Sequence, residues 1–323
     1  MSKKFNNKVL LGVLAGLVVI FFLTNYLRDS RRKANGLPDE LITLDTAAVE
    51  TIFLYPQVAK GQEIKFTKSG GQWQVESGGL VGEANPVAVK QLLSDLQGLK
   101  PKRLAGRSKD TWEKYAVTDS SATRVKIQES GKGDAADLYI GKISYQQQPG
   151  GNPYAGNQGI SGTTYVRKGD RKEVYAVDGF LGMTLNQEFS AWRKSDFLKV
   201  DKAAVNNLKF DYPEGTGFVV SKADSHWLVD GMAADSAAVE KYLGLLANRP
   251  ERDFADVFQP VASPDYALTV SGVSMNPLVI QCWADTTAGH YFLHSSLNAN
   301  AYFRSPADGL FKELFVEKGA FLK

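Results

Sequence analysis

Two stretches of this chain, far apart in the sequence, are nearly the same. LITLDTAAV runs from Leu41 to Val49 and FLKVDKAAV runs from Phe197 to Val205, so the second begins 156 residues after the first. Solenoid repeats recur every 20 to 50 residues or so, and a much longer interval indicates whole domains. The chain is therefore limited to folds in which one architecture occurs twice.

Further matches follow in the same order, and their offset falls steadily along the chain. IKFTKSGGQWQVE matches FVVSKADSHWLVD at an offset of 154, and VAVKQLLSDL matches AAVEKYLGLL at 150. TRVKI matches YALTV at 143, LYI matches LVI at 140 and TYVR matches HYFL at 126. The last pair is WRKSDFLK with VEKGAFLK, at 124. The alignment predicts repeat 1 at 41–196 and repeat 2 at 197–323.

Each repeat is predicted to contain short strands and two helices. ETIFLY, EIKFTKS and GQWQVE have the length and composition of strands, and the SGG between the last two indicates a hairpin. In NPVAVKQLLSDLQGL, the residues Val89, Leu92, Leu93 and Leu96 fall on one helical face, and DSAAVEKYLGLL repeats this stripe. LNQEFSAWRK predicts a closing helix. Antiparallel strands with inserted helices predict an α+β fold class.

The N-terminal region contains the apolar run VLLGVLAGLVVIFFLTNYL, 19 residues from Val9 to Leu27. As a helix it would extend about 28 Å, close to the hydrocarbon core of a bilayer. We expect a transmembrane anchor at 9–27, an N-terminal tail at 1–8 and a polar linker at 28–40. A cleaved secretory signal is the alternative, but no small-residue cleavage site follows the run.

Lys and Arg flank the predicted anchor on both sides, so the positive-inside rule decides little. Lys3, Lys4 and Lys8 would be costly to translocate, whereas a long following domain crosses largely regardless of charge. We expect a single-pass protein of the bacterial inner membrane with a cytoplasmic N-terminus. The bulk of the chain would be periplasmic or otherwise extracytoplasmic, with the lipid bilayer contacted through the anchor.

The net charge of +3 comes from the N-terminal region. Residues 1–33 carry seven Lys or Arg and one Asp, which leaves −3 for the remaining residues. A slightly acidic folded part lacks the basic footprint of a nucleic-acid-binding protein, so no nucleic-acid partner is expected. The single cysteine, Cys282, lies in the apolar run LVIQCW and is predicted to be a buried small hydrophobe.

The largest change in offset marks a segment that only repeat 1 contains. SYQQQPGGNPYAGNQGISGTT occupies 144–164, where repeat 2 has only QCWADTTAG. Long loops on a rigid scaffold are often binding elements. We therefore take Tyr145, Asn152, Tyr154 and Asn157 as candidate partner-binding residues. The alternative is a mobile loop that binds no particular partner.

The sequence predicts no catalytic, cofactor-binding or metal-binding residues. It contains no GxxxxGK[ST], GxGxxG or GxSxG motif. His290 and His294 form HxxxH, but on a strand their side chains would begin about 13 Å apart, too far to share one zinc ion. The carboxylates Glu251, Asp253 and Asp256 are interpreted as a solvated face.

Several segments together are similar to one known family. They are the W-x-V strand of Trp73 and Val75, WEKYAVTDSSATRV at 112–125, IGK at 140–142, the YVR…VYAVD hairpin and the WRKSDFL junction. In these the chain resembles a bacterial membrane-anchored family called domain of unknown function 4340. The family has no agreed catalytic residues to carry over. The resemblance implies a context, because such proteins are often encoded beside ABC-type exporter components that resemble the gliding-motility auxiliary system.

These observations favour a non-enzymatic function. We expect a membrane-anchored, extracytoplasmic accessory or assembly factor of an ABC-type envelope transporter, acting by protein binding. Its partner would be a membrane protein, an ABC-type permease or auxiliary subunit. Two alternatives stay open. One is a cell-envelope hydrolase with a site between the two repeats, and the other is a glycan-binding module that uses Tyr145 and Tyr154.

Overall fold

The computed structural model describes residues 14, 16–24, 37–147, 160–169, 171–285 and 287–322. The chain divides into two compact units. Unit 1 contains residues 1–71 and 87–188, and unit 2 contains residues 72–86 and 189–323. The predicted boundaries at 41–196 and 197–323 stay a prediction.

Unit 1 is built around seven antiparallel strands. They are β1 (Val49–Tyr55), β2 (Ile64–Ser69), β5 (Pro101–Gly106), β6 (Thr123–Glu129), β7 (Gly133–Gln147), β8 (Ile160–Lys168) and β9 (Val174–Asp178). Their order across the sheet is β2-β1-β6-β7-β8-β9-β5. Along β6 every second residue is buried, as expected for a strand with one face on a core. Consecutive strands therefore place their inward residues in a common apolar layer.

Short helices accompany this sheet. Helix α1 (Pro86–Leu96) buries Val89, Leu92, Leu93 and Leu96, which is the stripe predicted from the sequence. A single 3₁₀ turn at Lys109–Thr111 leads into α2 (Trp112–Tyr115), and α3 (Leu181–Leu185) follows β9. The 3₁₀ turn and α2 carry Lys109 and Trp112, which line a cleft described below.

The described residues of unit 2 form one sheet of eight strands and two short strand pairs. The strands are β3 (Gln72–Ser77), β4 (Leu80–Glu83), β10 (Asp196–Lys199), β11 (Val205–Asp211), β12 (Phe218–Ala223), β13 (His226–Val229), β14 (Met232–Ala233), β15 (Asn248–Pro250), β16 (Tyr266–Gly272), β17 (Leu278–Asp285), β18 (His290–Ser295) and β19 (Tyr302–Pro306). The larger sheet has the order β14-β13-β12-β11-β16-β17-β18-β19. β3 forms a hairpin with β4, and β10 pairs with β15.

The helices of unit 2 are α4 (Phe189–Trp192), α5 (Ser236–Leu246) and α6 (Leu310–Leu314). Asp235 caps α5, since its Oδ1 accepts hydrogen bonds from the backbone N–H groups of Ala237 and Ala238. The Tyr242 hydroxyl donates to the Leu314 carbonyl at 2.6 Å, which fixes the buried end of this side chain. α5 therefore buries an apolar face, while its N-terminal N–H groups and the Tyr242 hydroxyl have hydrogen-bond partners.

The two large sheets share the pairing of their central strands. Ile52 of β1 lies opposite Ile127 and Phe66, and Leu208 of β11 lies opposite Val270 and Val220. The register breaks between Val49 and Thr51 in one sheet and between Val205 and Asn207 in the other. The two AAV segments thus lead into strands that occupy the same place in the two sheets.

The registers also correct one step of the sequence alignment. Val125 pairs with Leu138, while Leu268, in the equivalent position, pairs with Ile280. Leu138 therefore corresponds to Ile280, two residues beyond the predicted match of LYI with LVI. A slip of two residues leaves every side chain on the same face of a strand, so the hydrophobic pattern cannot detect it.

The α+β fold class is wrong, because the described residues form mostly antiparallel β-sheet. α1 and α5 have eleven residues each, and the other labelled helices have four or five. LNQEFSAWRK was predicted as one helix. Its first residue, Leu185, ends α3, and only Phe189–Trp192 form a further helix, in which Trp192 is buried. Helices this short depend on tertiary packing, since few internal hydrogen bonds offset the cost of nucleation.

The predicted N-terminal transmembrane helix is also wrong. Within the part of the chain that the structure describes, no helix is long and apolar enough to cross a membrane. Val9 and Leu27, the predicted ends of the span, lie outside the described residues.

Candidate functional site

Tyr145, a predicted partner-binding residue, lies near the end of β7 and is 61% exposed. Its ring centroid lies 5.8 Å from that of Phe180, and its hydroxyl lies 3.9 Å from the Met183 sulfur. Met183 is itself 54% exposed. The other three predicted residues, Asn152, Tyr154 and Asn157, lie outside the described residues.

The strand pairing extends this surface to Ile160. Tyr145 lies opposite Gly162, and Gln147 lies opposite Ile160, which is 51% exposed. Residues two apart on a strand share a face, so Ile160 lies on the same face as Tyr145. We call Tyr145, Ile160 and Met183 the apolar patch. It brings together three large exposed side chains that are apolar or aromatic.

Gly162 explains how Phe180 supports Tyr145. A Cβ atom at residue 162 would lie 2.5 Å from the Phe180 ring, closer than real Cβ contacts come. The absence of a side chain lets the ring lie over the strand and beside Tyr145. The orientation of Tyr145 therefore depends on a glycine in the facing strand.

A polar cleft of about 480 Å³ borders the apolar patch. Among the described residues, three side-chain amides line it, and all three hydrogen-bond to backbone atoms. Asn186 Oδ1 accepts from the Val58 N–H at 2.9 Å, and Gln57 Nε2 donates to the Ala122 carbonyl at 2.7 Å. Lys142 is the charged residue of the lining. An apolar centre beside polar groups is the composition of a protein-binding surface.

A second cleft of unit 1, of about 550 Å³, contains a row of three side chains on neighbouring strands. Tyr139 of β7 pairs directly with Arg124 of β6 on one side and with Arg167 of β8 on the other. The guanidinium carbons lie 4.8 Å (Arg124) and 3.7 Å (Arg167) from the Tyr139 ring centroid. We call this the arginine cleft.

Arg167 is held on all sides, although it is a charged residue with 2% of its side chain exposed. Its guanidinium carbon lies 3.9 Å from the Trp112 ring centroid, so it contacts this ring as well as that of Tyr139. Nε donates to the Val117 carbonyl at 2.9 Å, and Nη1 donates to the Gly169 carbonyl. Such contacts suit a planar guanidinium, which stacks on rings while its edge donates hydrogen bonds. Arg167 is thus fixed in one orientation.

Two of the three described carboxylates that line the arginine cleft are engaged by these cations. Arg124 donates to Asp137 through Nε at 2.9 Å and through Nη2 at 2.8 Å, and this pairing raises the pKa of Arg124. Asp119 lies 3.3 Å from Arg167 Nη2. Burial, followed by a hydrogen bond to Asp119, raises the pKa of Tyr139. The phenol therefore stays protonated near neutral pH and can donate to a carboxylate.

The sheet of unit 2 has other residues at the same positions. By register, Arg124, Tyr139 and Arg167 correspond to Ala267, Gln281 and His294. A similar strand frame is thus built without the two arginines and the tyrosine. Sequence reasoning missed this row, since its members are separated along the chain and meet only through strand register.

The carboxylates and histidines weighed in the sequence lie in unit 2. Asp256 is more than a solvated residue, because both of its oxygens accept from Arg193 Nη1, at 2.7 and 2.9 Å. His294 Nε2 lies 3.1 Å from the Ala299 carbonyl, and His290 Nε2 lies 3.6 Å from Asp285. Among the described residues, no group of three or more His, Cys, Asp or Glu is placed to hold a metal ion.

The sequence model of Domain of unknown function (DUF4340) matches residues 80–269, more than half of the chain. This chain belongs to the DUF4340 family. The matched part of this DUF4340 protein includes Tyr145 and the whole arginine row. The family predicted from the sequence is confirmed, whereas membrane anchoring and a link to an ABC transporter are not shown. Neither the curated proteins nor the solved structures contain a match.

Proposed function

We propose that this DUF4340 protein is a non-enzymatic, extracytoplasmic accessory or assembly factor of an ABC-type envelope transporter. It acts by binding a membrane-protein partner, a permease or auxiliary subunit, through the apolar patch. The transporter context comes from the family resemblance. The observation that carries the binding role is the exposure of Tyr145, Ile160 and Met183 together, at 61%, 51% and 54%.

The composition of the apolar patch supports a protein partner. Tyrosine and methionine are enriched in the buried centres of interfaces, and tyrosine is a frequent hot spot. The neighbouring cleft adds amide groups that form a polar rim. Tyr145 rests on Phe180, so it loses little conformational freedom when a partner covers it.

Three carboxyl groups with shifted pKa values act as structural hydrogen-bond acceptors and are unsuited to be general acids. The pKa values of Glu129, Asp230 and Asp285 are lowered, and in each case a hydrogen bond is the largest cause. The donors are the Asp45 N–H, Lys318 and Thr287, in the same order. A general acid at neutral pH needs a raised carboxyl pKa. These three groups stay ionised, as structural hydrogen-bond acceptors do.

Affinity capture tests the proposal. The tagged full-length chain is used to capture partners from detergent-solubilised membranes, which are identified by mass spectrometry. We expect an ABC-type permease or auxiliary subunit in the capture. Recovery of no membrane transport component would contradict the transporter role.

Matched variants test the surface itself. Tyr145→Ser and Met183→Ser should each reduce recovery of the partner by about tenfold, the loss of a moderate hot spot. Met232→Ser is the control, because Met232 is a comparably exposed methionine of unit 2, at 48%. Equal recovery with Tyr145→Ser and with the control would show that the partner binds elsewhere.

A further inference from the structure

We propose that the arginine cleft is a binding site for a carboxylate-bearing ligand, and that the Asp119 side chain occupies the position of that carboxylate until the ligand displaces it. This site is separate from the apolar patch. The proposal is independent of the function proposed for that patch.

Asp119 shows which group the cleft accepts. Its carboxylate lies 3.3 Å from Arg167 Nη2 and takes part in a hydrogen bond with Tyr139. Yet its side chain is 82% exposed, and 3.3 Å is long for a charged hydrogen bond. Asp137 is held differently, with two bonds of 2.8 and 2.9 Å from Arg124 and 29% exposure. Asp119 is therefore the weakly held carboxylate of the two.

Arg167 is prepared in advance for an incoming carboxylate. Trp112 and Tyr139 stack on the guanidinium, and two backbone carbonyls accept from Nε and Nη1. Nη2 is the nitrogen whose partner, Asp119, is exposed. A ligand carboxylate would gain a charged hydrogen bond there without any reorganisation of the arginine.

The charge of the cleft also favours an anion. In the described part of the chain, its lining contains five cationic residues and three aspartates, an excess of two positive charges. Lys109, Lys168 and Arg171 are exposed at the rim, and none of them has an ion-pair partner among the residues that the structure describes. They would attract the ligand and hold further carboxylate groups.

The row is not a requirement of the sheet. The corresponding residues of unit 2 are Ala267, Gln281 and His294, and the central strands of that sheet have the same order. Burying an arginine requires that its hydrogen bonds are satisfied, and Arg167 Nε and Nη1 both donate to backbone carbonyls. A satisfied row that the strand frame does not need points to a binding role.

Isothermal titration of the full chain at constant ionic strength tests the site, with succinate, sulfate and a tetraglutamate peptide as probes. Succinate and sulfate are both dianions, so tighter binding of succinate indicates recognition of carboxylate. Equal affinity for sulfate, or no succinate binding, would overturn the proposal. Tighter binding of the peptide than of succinate would indicate that the natural ligand is an acidic protein segment. Tighter binding of succinate would indicate a small carboxylic acid.

Asp119→Asn is the decisive variant. If Asp119 holds the ligand position, removal of its charge should tighten succinate binding by about fivefold, since the ligand no longer competes with it. Unchanged or weaker binding would contradict displacement. Lys168→Gln with Arg171→Gln should weaken binding about tenfold. Lys202→Gln with Lys241→Gln, two exposed lysines of unit 2, is the control and should change nothing.

Discussion

Tyr139 and Arg167 are direct cross-strand partners, and the Arg167 guanidinium carbon lies 3.7 Å from the centre of the Tyr139 ring. Both side chains are almost completely buried, with 5% and 2% exposure. A desolvated cation–π contact of this kind contributes about 2 kcal/mol. The pair therefore links stability of the sheet to the shape of the arginine cleft.

Substitution of Tyr139 separates the ring from its hydroxyl. Tyr139→Phe keeps the stacking but loses the hydrogen bond to Asp119, and should lower the free energy of unfolding by about 1 kcal/mol. Tyr139→Leu loses the ring as well and should cost about 2 kcal/mol more. Urea denaturation measures both. Equal losses for the two variants would show that the ring contributes nothing beyond its burial.

Asp256 neutralises the buried Arg193, whose side chain is 5% exposed and lies over the Phe254 ring at 3.6 Å. Asp256→Asn should lower the free energy of unfolding by about 2 kcal/mol, because the arginine keeps its charge and loses its acceptor. Asp253→Asn, on the same loop, is the control and should cost less than about 0.5 kcal/mol. Similar effects of both substitutions would contradict this account.

Glu129 makes the stability of unit 1 depend on pH. Its pKa is lowered, first by the Asp45 N–H at 2.8 Å and then by Lys132 at 3.0 Å. A carboxyl whose folded pKa is depressed stabilises the fold above its unfolded pKa, near 4.3, and loses that contribution as pH falls. The stability difference between wild type and Glu129→Gln should therefore shrink below about pH 4. A difference that grows on acidification would reverse the sign of this linkage.

Two glycines should respond to alanine in opposite directions. A Cβ at Gly141 would overlap the Tyr115 carbonyl oxygen, so Gly141→Ala should destabilise the protein by about 2 kcal/mol. Gly244 lies inside α5 with nothing within 4 Å of its Cβ position. Gly244→Ala should stabilise by about 0.5–1 kcal/mol through helix propensity. Thermal unfolding of both variants gives the signs, and a stabilising Gly141→Ala would be inconsistent with the close approach.

Cys282 should be chemically inert in the folded protein. Its side chain is fully buried, and burial raises the pKa of the thiol, so little reactive thiolate forms near neutral pH. A thiol reagent such as Ellman's reagent should label Cys282 only after denaturation. Labelling of the native chain at the rate of free cysteine would show that β17 opens readily.

The structure was predictable from the sequence where the signal was local. The stripe of α1, at Val89, Leu92, Leu93 and Leu96, is buried as predicted, because helical periodicity lies within one segment. The buried state of Cys282 is confirmed for a similar reason. The closing helix was overpredicted, since a ten-residue apolar pattern does not reveal whether tertiary packing favours a helix or a single turn.

The arginine cleft was not predictable, because its contacts cross the sheet. Asp119 and Arg167 are 48 residues apart, since Asp119 lies in the turn before β6 and Arg167 lies on β8. Registers that differ by two residues have the same inward pattern, so the partners of Tyr139 could not be chosen from alternation. Tyr145 was chosen by another signal, the extra segment at 144–164, and its binding role stays a prediction.

Because the two large sheets share the pairing of their central strands, the effect of the side chains can be separated from that of the strand pairing. Ala267, Gln281 and His294 occupy, in one copy, the places that Arg124, Tyr139 and Arg167 occupy in the other. One molecule thus contains a sheet that carries the arginine row and a second sheet with equivalent positions that lack it. Substituting Ala267→Arg, Gln281→Tyr and His294→Arg would measure, within a single polypeptide, how much ligand affinity the three side chains provide without the residues that surround them in unit 1.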